Sequence, residues 1–335
     1  MSQSENDVVV SGRVRLARNY HDLPFSNLSN PENAQLCIDR AREAMDAGKG
    51  AFVLHTLEGM PKVERMALME QHLISRDLLK HSEVGAALIR DDLRVCIMVN
   101  EEDHIRIQVM TSGLDLDSAL EVANKIDDAI DASLNYAFDS QLGFLTACPS
   151  NLGTGLRASV MLHIPALEKA GSLNRLSGTL SKLGLTMRGT YGEGTKAVGS
   201  LYQISNQITL GISEEQAIKN LREIVSQIVE KEREAQKALV TSARFQDRIY
   251  RCFGTLKYAK MISTEEFFEL ISDFQIGISR GILTGSEFQR LSPERFNCLL
   301  FQIGSATLCQ KEGRDLTAEE RDELRAKIVQ EALKE

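Results

Sequence analysis

The chain has 335 residues, is 43% hydrophobic and 26% charged, and carries a formal net charge of −8. This composition is typical of a globular protein of one or two domains, and its acidic balance argues against bulk attraction to nucleic acid or an anionic membrane. The six cysteines follow no zinc-type spacing, and no stretch reaches the ~18 apolar residues of a membrane span. Because the N-terminus also lacks a secretory signal, we expect a cytoplasmic protein with reduced thiols.

Apolar periodicity predicts an α+β region up to about residue 235. Helices are predicted at 31–48, 61–73 and 116–134, and the first of these has Asn30 as a candidate N-cap. Strands are predicted at 51–57, 84–89, 93–99 and 105–110, and the last three are close enough to form a meander. Residues 200–211 are expected to form a strand pair or one bent strand.

From Ser213 onward the pattern is helical, with helices predicted near 213–239, 243–260, 264–279, 293–309 and 317–334. Ser263–Glu266 and Thr317–Glu320 have the sequence of capping boxes at helix starts. We therefore predict two domains, residues 1–235 and an all-helical domain over residues 236–335.

Arginines recur in short structured motifs of this acidic chain. They are Arg13 and Arg15 on one face of a strand in "SGRVRLAR", Arg106 after the acidic turn of "VNEEDHIRI", Arg157 after a Gly-rich stretch, and Arg188 in "RGTYGEG". Arginine binds phosphate bidentately and stays charged, so the set predicts a local anion site near clustered carboxylates. Each motif taken alone is also typical of a solvated face or an ordinary turn.

Four stretches resemble the catalytic core of the phosphagen (guanidino) kinases, in the same order. They are "SGRVRLAR", "VNEEDHIRI", "LGFLTACPSNLGTGLRASVMLHIPAL" and "RGTYGEGTKAVGSLYQISNQITLG", and together they cover roughly residues 8–235. The segment "RDELRA" (321–326) matches the RDxxRA motif of the protein-arginine kinases within this family. The resemblance implies an antiparallel sheet flanked by helices, followed by an all-helical C-terminal domain.

The resemblance also implies roles for individual residues. Glu102 matches the catalytic carboxylate that orients and deprotonates the guanidinium, Glu193 a second carboxylate, and Cys148 a reactive cysteine beside the substrate. The cofactors implied are ATP and Mg²⁺, with the ion held by phosphates and water rather than by protein ligands. The implied nucleotide-binding residues are Ser11, Gly12, Arg13, Val14, Arg15, His72, Arg106, Arg157, Ala158, Ser159, Val160, Met161, Arg188, Gly189, Thr190, Tyr191, Gly192 and Glu193.

The motif near the C-terminus has two readings. Arg321 and Arg325 are four residues apart and hence on one helix face, which taken alone is typical of a solvated helix. In the family context the motif resembles an allosteric phosphoarginine-binding pocket. Its residues are Arg321, Asp322, Glu323, Leu324, Arg325 and Ala326.

The expected function is ATP-dependent phosphorylation of arginine side chains in proteins. The resemblance further implies a homodimer, an activator protein, Clp-dependent degradation of marked proteins and control of stress regulators, with no nucleic-acid or membrane partner. Two alternatives stay open: a kinase of free arginine or another small guanidine, and a catalytically weak adaptor that binds phosphoarginine. Acid-labile phosphate on protein with none on free arginine would exclude the first alternative, and ATP turnover with an arginine-rich protein would exclude the second.

Overall fold

The structure is a computed structural model that describes residues 5–26, 30–47, 51–132, 135–189, 197–285, 288 and 292–334. Its strands are β1 (Val9–Arg18), β2 (Phe52–Thr56), β3 (Ala86–Arg90), β4 (Val95–Val99), β5 (Ile105–Ser112), β6 (Phe138–Asp139), β7 (Gly143–Phe144), β8 (Leu156–His163), β9 (Leu185–Gly189) and β10 (Leu201–Asn206). Its α-helices are α1 (Pro31–Ala47), α2 (Lys62–Glu70), α3 (Arg76–Lys80), α4 (Leu116–Asp131), α5 (Pro165–Lys169), α6 (Leu173–Lys182), α7 (Glu214–Leu239), α8 (Ala243–Tyr258), α9 (Thr264–Ser279), α10 (Pro293–Leu300), α11 (Ser305–Glu312) and α12 (Ala318–Lys334).

Within these residues, eight strands form one sheet in the order β2-β3-β4-β5-β1-β8-β10-β9, paired antiparallel throughout. The predicted α+β class, the antiparallel sheet flanked by helices and the β3-β4-β5 meander are confirmed. The central strand β1 is hydrogen-bonded on both sides, to β5 and β8, so side chains that alternate along it point to two different faces.

Two faces of the sheet are buried by different partners. Val95, Ile97 and Val99 of β4 join the main core with α1, α4 and α7, while Cys96 and Met98 pack into a second cluster under α2 and α3. All residues of β4 are buried because both faces of this strand are covered. A third cluster lies among α8 to α12, which we call the helical region, and reaches Val10, Met161 and Leu201 of the sheet.

Helix ends follow the side-chain chemistry of the sequence. Asn30 accepts a hydrogen bond from the Asn33 amide at 2.8 Å, as predicted for an N-cap. The predicted capping box at α12 is confirmed in both directions, because Thr317 Oγ1 accepts from the Glu320 amide and Glu320 accepts from the Thr317 amide. None of the described helices is long and apolar enough to cross a membrane.

Several predicted boundaries were wrong. The single helix predicted over 293–309 is two helices, α10 and α11, because the chain turns at Phe301–Gly304 and Gly304 takes an extended conformation before α11. The helix predicted over 61–73 ends at Glu70, and the segment 200–211 holds one strand, β10, that ends at Asn206. The domain boundary at residue 235, near the end of α7, is a different case, because the division into two domains stays a prediction.

Candidate active site

Four of the five predicted arginines line one cavity of about 280 Å³ on one face of the sheet. Strand register brings them together: Arg15 of β1 lies opposite Arg157 of β8, and Ala17 lies opposite Arg106 of β5. Arg188 enters from β9, where it pairs with Gln203 of β10. Residues distant in sequence therefore converge because each occupies the same-face position of a neighbouring strand.

The fifth arginine, Arg13, lies two residues away on the same face of β1. It lines a small adjoining cavity with Ser11, His72, Ser159 and Met161, all of them predicted nucleotide contacts. Its Nε donates to Ser159 Oγ at 3.2 Å and its Nη2 donates to Gln203 Oε1 at 2.7 Å. Gln203 lines both cavities, so they adjoin on this face of the sheet, and we refer to the two together as the groove.

The groove concentrates positive charge. Burial and the neighbouring charges of Arg13 and Arg106 hold the pKa of Arg15 well below its usual value. Burial, together with Arg188 and Arg106, also lowers the pKa of Arg157. Arginine keeps its proton even so, and an anion bound between these groups would relieve their mutual repulsion.

Arg15 also carries a buried donor that has no partner within the described residues: its Nε atom. A buried unpaired N–H is costly, and a phosphate oxygen is the kind of acceptor that would satisfy it. The arginines present therefore fit a polyphosphate. Within the described residues, no group of three or more histidine, cysteine, aspartate or glutamate side chains is arranged to hold a metal ion.

Glu102 and Cys148, two of the predicted catalytic residues, face the same cavity. The Glu102 side chain is 41% exposed, and its Oε2 accepts from Arg106 Nη2 at 3.0 Å and from Asn151 Nδ2 at 3.4 Å. Cys148 Sγ lies 3.1 Å from Ser150 Oγ. A carboxylate and a thiol thus stand beside the arginines, with one edge of the carboxylate open to solvent.

Glu101 occupies the opposite environment. Its side chain is fully buried, accepts from Arg106 Nη1 at 2.7 Å and contacts Ser75 Oγ, while its Oε2 accepts from the Glu102 amide at 3.0 Å. Glu101 therefore fixes both the guanidinium of Arg106 and the backbone of Glu102.

The last two residues of the acidic turn hold loops in place. Asp103 Oδ1 accepts from Asn19 Nδ2 and from the Ala147 amide, both at 2.7 Å, which fixes the segment next to Cys148. His104 Nδ1 accepts from the Tyr20 amide at 3.1 Å, so its Nε2 is the donor to the Pro24 carbonyl at 2.8 Å. Burial raises the pKa of Asp103 and lowers that of His104.

Several other predicted site residues are expected to contribute their backbone to the pocket, and the positions of their side chains leave that prediction untested. Val14, Ala158 and Val160 are buried in the main core on the opposite face of the sheet, and a Cβ at Gly12 would meet Thr111 Oγ1 on that side. They are not among the residues that line either cavity, and Gly189 ends β9 opposite Tyr202. Thr190, Tyr191, Gly192 and Glu193 lie outside the described residues.

Sequence reasoning missed some cavity residues. Gln203 and Ser205 line the cavity from β10, and Asp77 and Asn151 line it from α3 and a 3₁₀ turn. The alternation of Gln203 and Ser205 along β10 was a usable signal, because residues two apart share one face of a strand. Asp77 had none, since α3 was not predicted.

The "RDELRA" segment forms part of α12. Arg325 is buried, and it donates from Nε to the Ile303 carbonyl at 3.1 Å and from Nη1 to the Ile262 carbonyl at 2.7 Å and to Asp322 at 2.6 Å. Arg321 is half-buried and donates to the Leu316 carbonyl at 2.8 Å. The two arginines thus differ, with Arg325 tying together three segments of the helical region.

Two family models match the chain. Residues 35–235 match the C-terminal catalytic domain of the ATP:guanido phosphotransferases, and residues 242–335 match the C-terminal domain of the protein-arginine kinase McsB. The solved structure of a lombricine kinase is similar to this fold, with a TM-score of 0.63 and 26% identity over 70% of this chain and 69% of that one. The chain belongs to the ATP:guanido phosphotransferase family and is an enzyme of that family.

Curated relatives show to which group within the family the chain belongs. A protein-arginine kinase of Caldanaerobacter subterraneus subsp. tengcongensis is 44% identical over 98% of both chains. One of Pelotomaculum thermopropionicum is 43% identical over 97% of this chain and 92% of its own. Within its family, the chain belongs to the protein-arginine kinases.

Proposed function

We propose that this enzyme transfers the γ-phosphoryl group of ATP to arginine side chains of proteins. The observation that carries the proposal is a single cavity of about 280 Å³ in which four guanidinium groups stand beside the half-exposed carboxylate of Glu102. The arginines suit a triphosphate, and the carboxylate suits an acceptor guanidinium. The curated relatives, named protein-arginine kinases, support a protein as the acceptor.

In the proposed reaction, Glu102 binds the substrate guanidinium by paired hydrogen bonds and takes a proton from its attacking nitrogen. The bond from that nitrogen to the γ-phosphorus forms as the bond from phosphorus to the bridging oxygen breaks, and ADP leaves with the electron pair. Arg15, Arg106, Arg157 and Arg188 orient the phosphates and stabilise the charge that develops on them. Mg²⁺, held mainly by the phosphates and water, would supply further neutralisation.

The test is to incubate the protein with ATP, Mg²⁺ and a denatured protein, and to map phosphoarginine by mass spectrometry at neutral pH. Glu102→Ala is expected to lower turnover at least ~100-fold, because the base and orienting group is lost. Its unfolding free energy is expected to change by less than about 1 kcal/mol, because the side chain is part-exposed. Glu83→Ala, at an exposed carboxylate outside the cavity, is the control.

Free arginine assayed in parallel separates the acceptors. Phosphate on protein arginines and none on free arginine supports the proposal. Phosphorylation of free arginine alone would make the enzyme a small-guanidine kinase, and near-normal activity of Glu102→Ala would refute the role of that residue.

We further propose that the "RDELRA" segment binds phosphoarginine as an effector. Arg321 is the informative residue, because Arg325 also supports the Ile262 and Ile303 carbonyls and its replacement would disturb the helical region. Arg321→Ala is expected to weaken phosphoarginine binding about tenfold by calorimetry, as loss of one charged hydrogen-bond donor predicts. Lys327→Ala, at an exposed position of the same helix, should bind as the native chain does. Unchanged binding by Arg321→Ala would exclude the site.

The family relationship also supports proposals that lie beyond the active site. They are an activator protein, assembly as a homodimer, marking of proteins for Clp-dependent degradation and control of stress regulators in the cytoplasm.

A further inference from the structure

The helical region contacts the segment at the end of α2, beside the nucleotide end of the groove, and we name this the α2–α11 contact. Its first half is a carboxylate cap: Glu70 at the end of α2 accepts from the Ala306 amide at 3.1 Å, the Thr307 amide at 2.8 Å and Thr307 Oγ1 at 2.9 Å. Its second half is the imidazole of His72, which meets the ring of Phe301 edge-on at 5.4 Å between centroids. The groups that contact Glu70 and His72 thus both come from the turn and helix at 301–312.

The segment around Gly304 is in close contact with Glu70 on one side and with Arg325 on the other. A Cβ at Gly304 would lie 2.2 Å from Glu70 Oε2, so only glycine leaves room for the carboxylate at the start of α11. From the far side, Arg325 of α12 holds the carbonyl of Ile303, the residue before Gly304. The segment that receives Glu70 is therefore fixed from two directions.

His72 itself is held in an uncommon conformation. Its φ is 60°, in the left-handed region that residues other than glycine seldom occupy, and its carbonyl accepts from Gln108 Nε2 at 2.8 Å. Such a conformation persists when the surroundings determine it. Here the surroundings are β5 on one side and the α2–α11 contact on the other.

The position of His72 matters because this residue lines the small cavity with Arg13, Ser11 and Met161, at the end of the groove away from Glu102. Burial, with the charges of Arg13 and Arg76 nearby, lowers the pKa of His72 to about 3. A neutral ring beside the arginines can lie against an uncharged part of a ligand whose phosphates those arginines hold. In ATP that part is the nucleoside.

We propose that Glu70 and Phe301 are positioning residues for the nucleotide: through the α2–α11 contact, the helical region sets His72 against the nucleoside and so sets the affinity for ATP. This inference rests on the proposed function, because it assumes that the groove binds ATP. It assigns to the helical region a part in substrate binding at the catalytic groove itself.

The experiment uses the full chain and three variants, Glu70→Gln, Phe301→Leu and Gly304→Ala, which disturb the contact from different sides. The matched control is Glu232→Gln, because Glu232 is also a buried carboxylate that caps a helix, accepting from the Ala166 and Leu167 amides at 3.0 and 2.9 Å, and lines neither cavity. The readouts are Kd for Mg·ADP by calorimetry, KM for ATP, kcat at saturating ATP and Tm.

The variants at the contact are expected to raise Kd for Mg·ADP and KM for ATP about three- to tenfold, and to change kcat by less than about twofold. Glu232→Gln is expected to lower Tm by a similar amount and to leave Kd unchanged. If Glu70→Gln does not fold, Phe301→Leu decides, because it removes only the ring edge. Nucleotide affinity within about twofold of the native chain in the folded variants would overturn the inference.

The two proposals fail in different ways. A native chain that binds Mg·ADP but phosphorylates no protein arginine refutes the proposed function and leaves the binding comparison intact. A native chain that phosphorylates protein, with variants that bind Mg·ADP normally, refutes only the inference.

Discussion

Glu101 and Glu102 are neighbours in the chain, yet one carboxylate is buried and the other faces the cavity. The difference comes from the turn: Asn100 has a φ of 58°, and the chain reverses there between β4 and β5. Oε2 of the buried Glu101 carboxylate lies 2.5 Å from Arg106 Nη1. Oε2 of Glu102 lies 3.0 Å from Nη2 of the same guanidinium, on the more exposed side. Arg106 is thus held between a buried carboxylate and the carboxylate that we propose binds the substrate.

This arrangement gives Glu101 a testable role. Glu101→Gln keeps the shape but removes the charge that faces Arg106, so we expect the unfolding free energy to fall by roughly 1–3 kcal/mol. We also expect kcat to fall at least ~10-fold, because Arg106 is then free to close on Glu102 and hold it away from substrate. Denaturant unfolding and steady-state kinetics measure both quantities. Glu121→Gln, at an exposed pair with Lys125, is the control, and equal behaviour of the two variants would contradict the role.

In the acidic turn, the sequence predicted the roles of some residues but not of others. The resemblance indicates Glu102 and Arg106, and both residues line the cavity. The supporting roles of Glu101, Asp103 and His104 could not be predicted, because side-chain directions in a turn depend on backbone dihedrals. Asp103 and His104 point to Asn19 and Tyr20, more than 80 positions away.

Among the elements, those with several turns or a clear alternation were predictable. The helices α1, α4, α7, α9 and α12 and the strands β2 to β5 fall where the periodicity put them. The short helices α3, α5 and α6 were missed, because five to ten residues give too few turns to show a period. The break between α10 and α11 was also missed: it falls at the turn before Gly304, and the Glu70 carboxylate that accepts from the start of α11 lies far away in sequence.

Arg18, at the end of β1, connects several elements through contacts that no local sequence pattern indicates. Its side chain is 1% exposed, donates to Asp127 of α4 at 2.9 and 2.7 Å and stacks 3.6 Å from the ring centre of Phe144. Burial raises the pKa of Asp127 in spite of this partner. Arg18 therefore joins the central strand to α4 and β7 at a place where an unpaired charge would be costly.

We predict that Arg18→Met lowers the unfolding free energy by about 3–5 kcal/mol, because it leaves Asp127 buried without its partner. Adding Asp127→Leu should recover part of the loss, since the double variant no longer buries the charge of Asp127. The recovery is incomplete because Glu214, which pairs with Arg18 at 3.5 Å, still loses this partner. The comparison is Arg90→Met, which breaks a similar two-bond pair with Asp92 at a more exposed site and should cost at most about 1 kcal/mol. Equal losses in the two single variants would show that burial of the Arg18 pair is not the cause.

In the whole molecule, the helical region meets the sheet and the segments beside it through polar contacts as well as through its apolar cluster. His163 of β8 bonds to Ser272 of α9 at 2.7 Å, Lys169 of α5 pairs with Asp273 at 3.0 Å, and Arg280 pairs with Asp7 at 2.7 Å. The sequence predicts a helical region but not this interface, because each partner belongs to a different local pattern. Polar groups buried in this way make the interface sensitive to protonation.

His163 is the clearest case. Burial lowers its pKa to about 4, with Asp273 acting in the opposite direction and Lys169 in the same one. An unfolded histidine titrates near ~6.5, so on acidification the unfolded chain takes up this proton first, and the stability that the neutral ring contributes is lost as pH falls from ~6.5 towards 4. At pH 5 the loss is about 2 kcal/mol.

We therefore expect the unfolding free energy of the native chain, minus that of His163→Gln, to fall by about 2 kcal/mol between pH 7.5 and pH 5. The comparison of two chains cancels the titration of all the groups that they share, and denaturant unfolding at a series of pH values measures it. His21→Gln replaces an exposed side chain, and its difference from the native chain should vary far less. A difference for His163→Gln that stays constant over this range would mean that the ring between β8 and α9 accepts a proton in the folded state, and that the interface tolerates the charge.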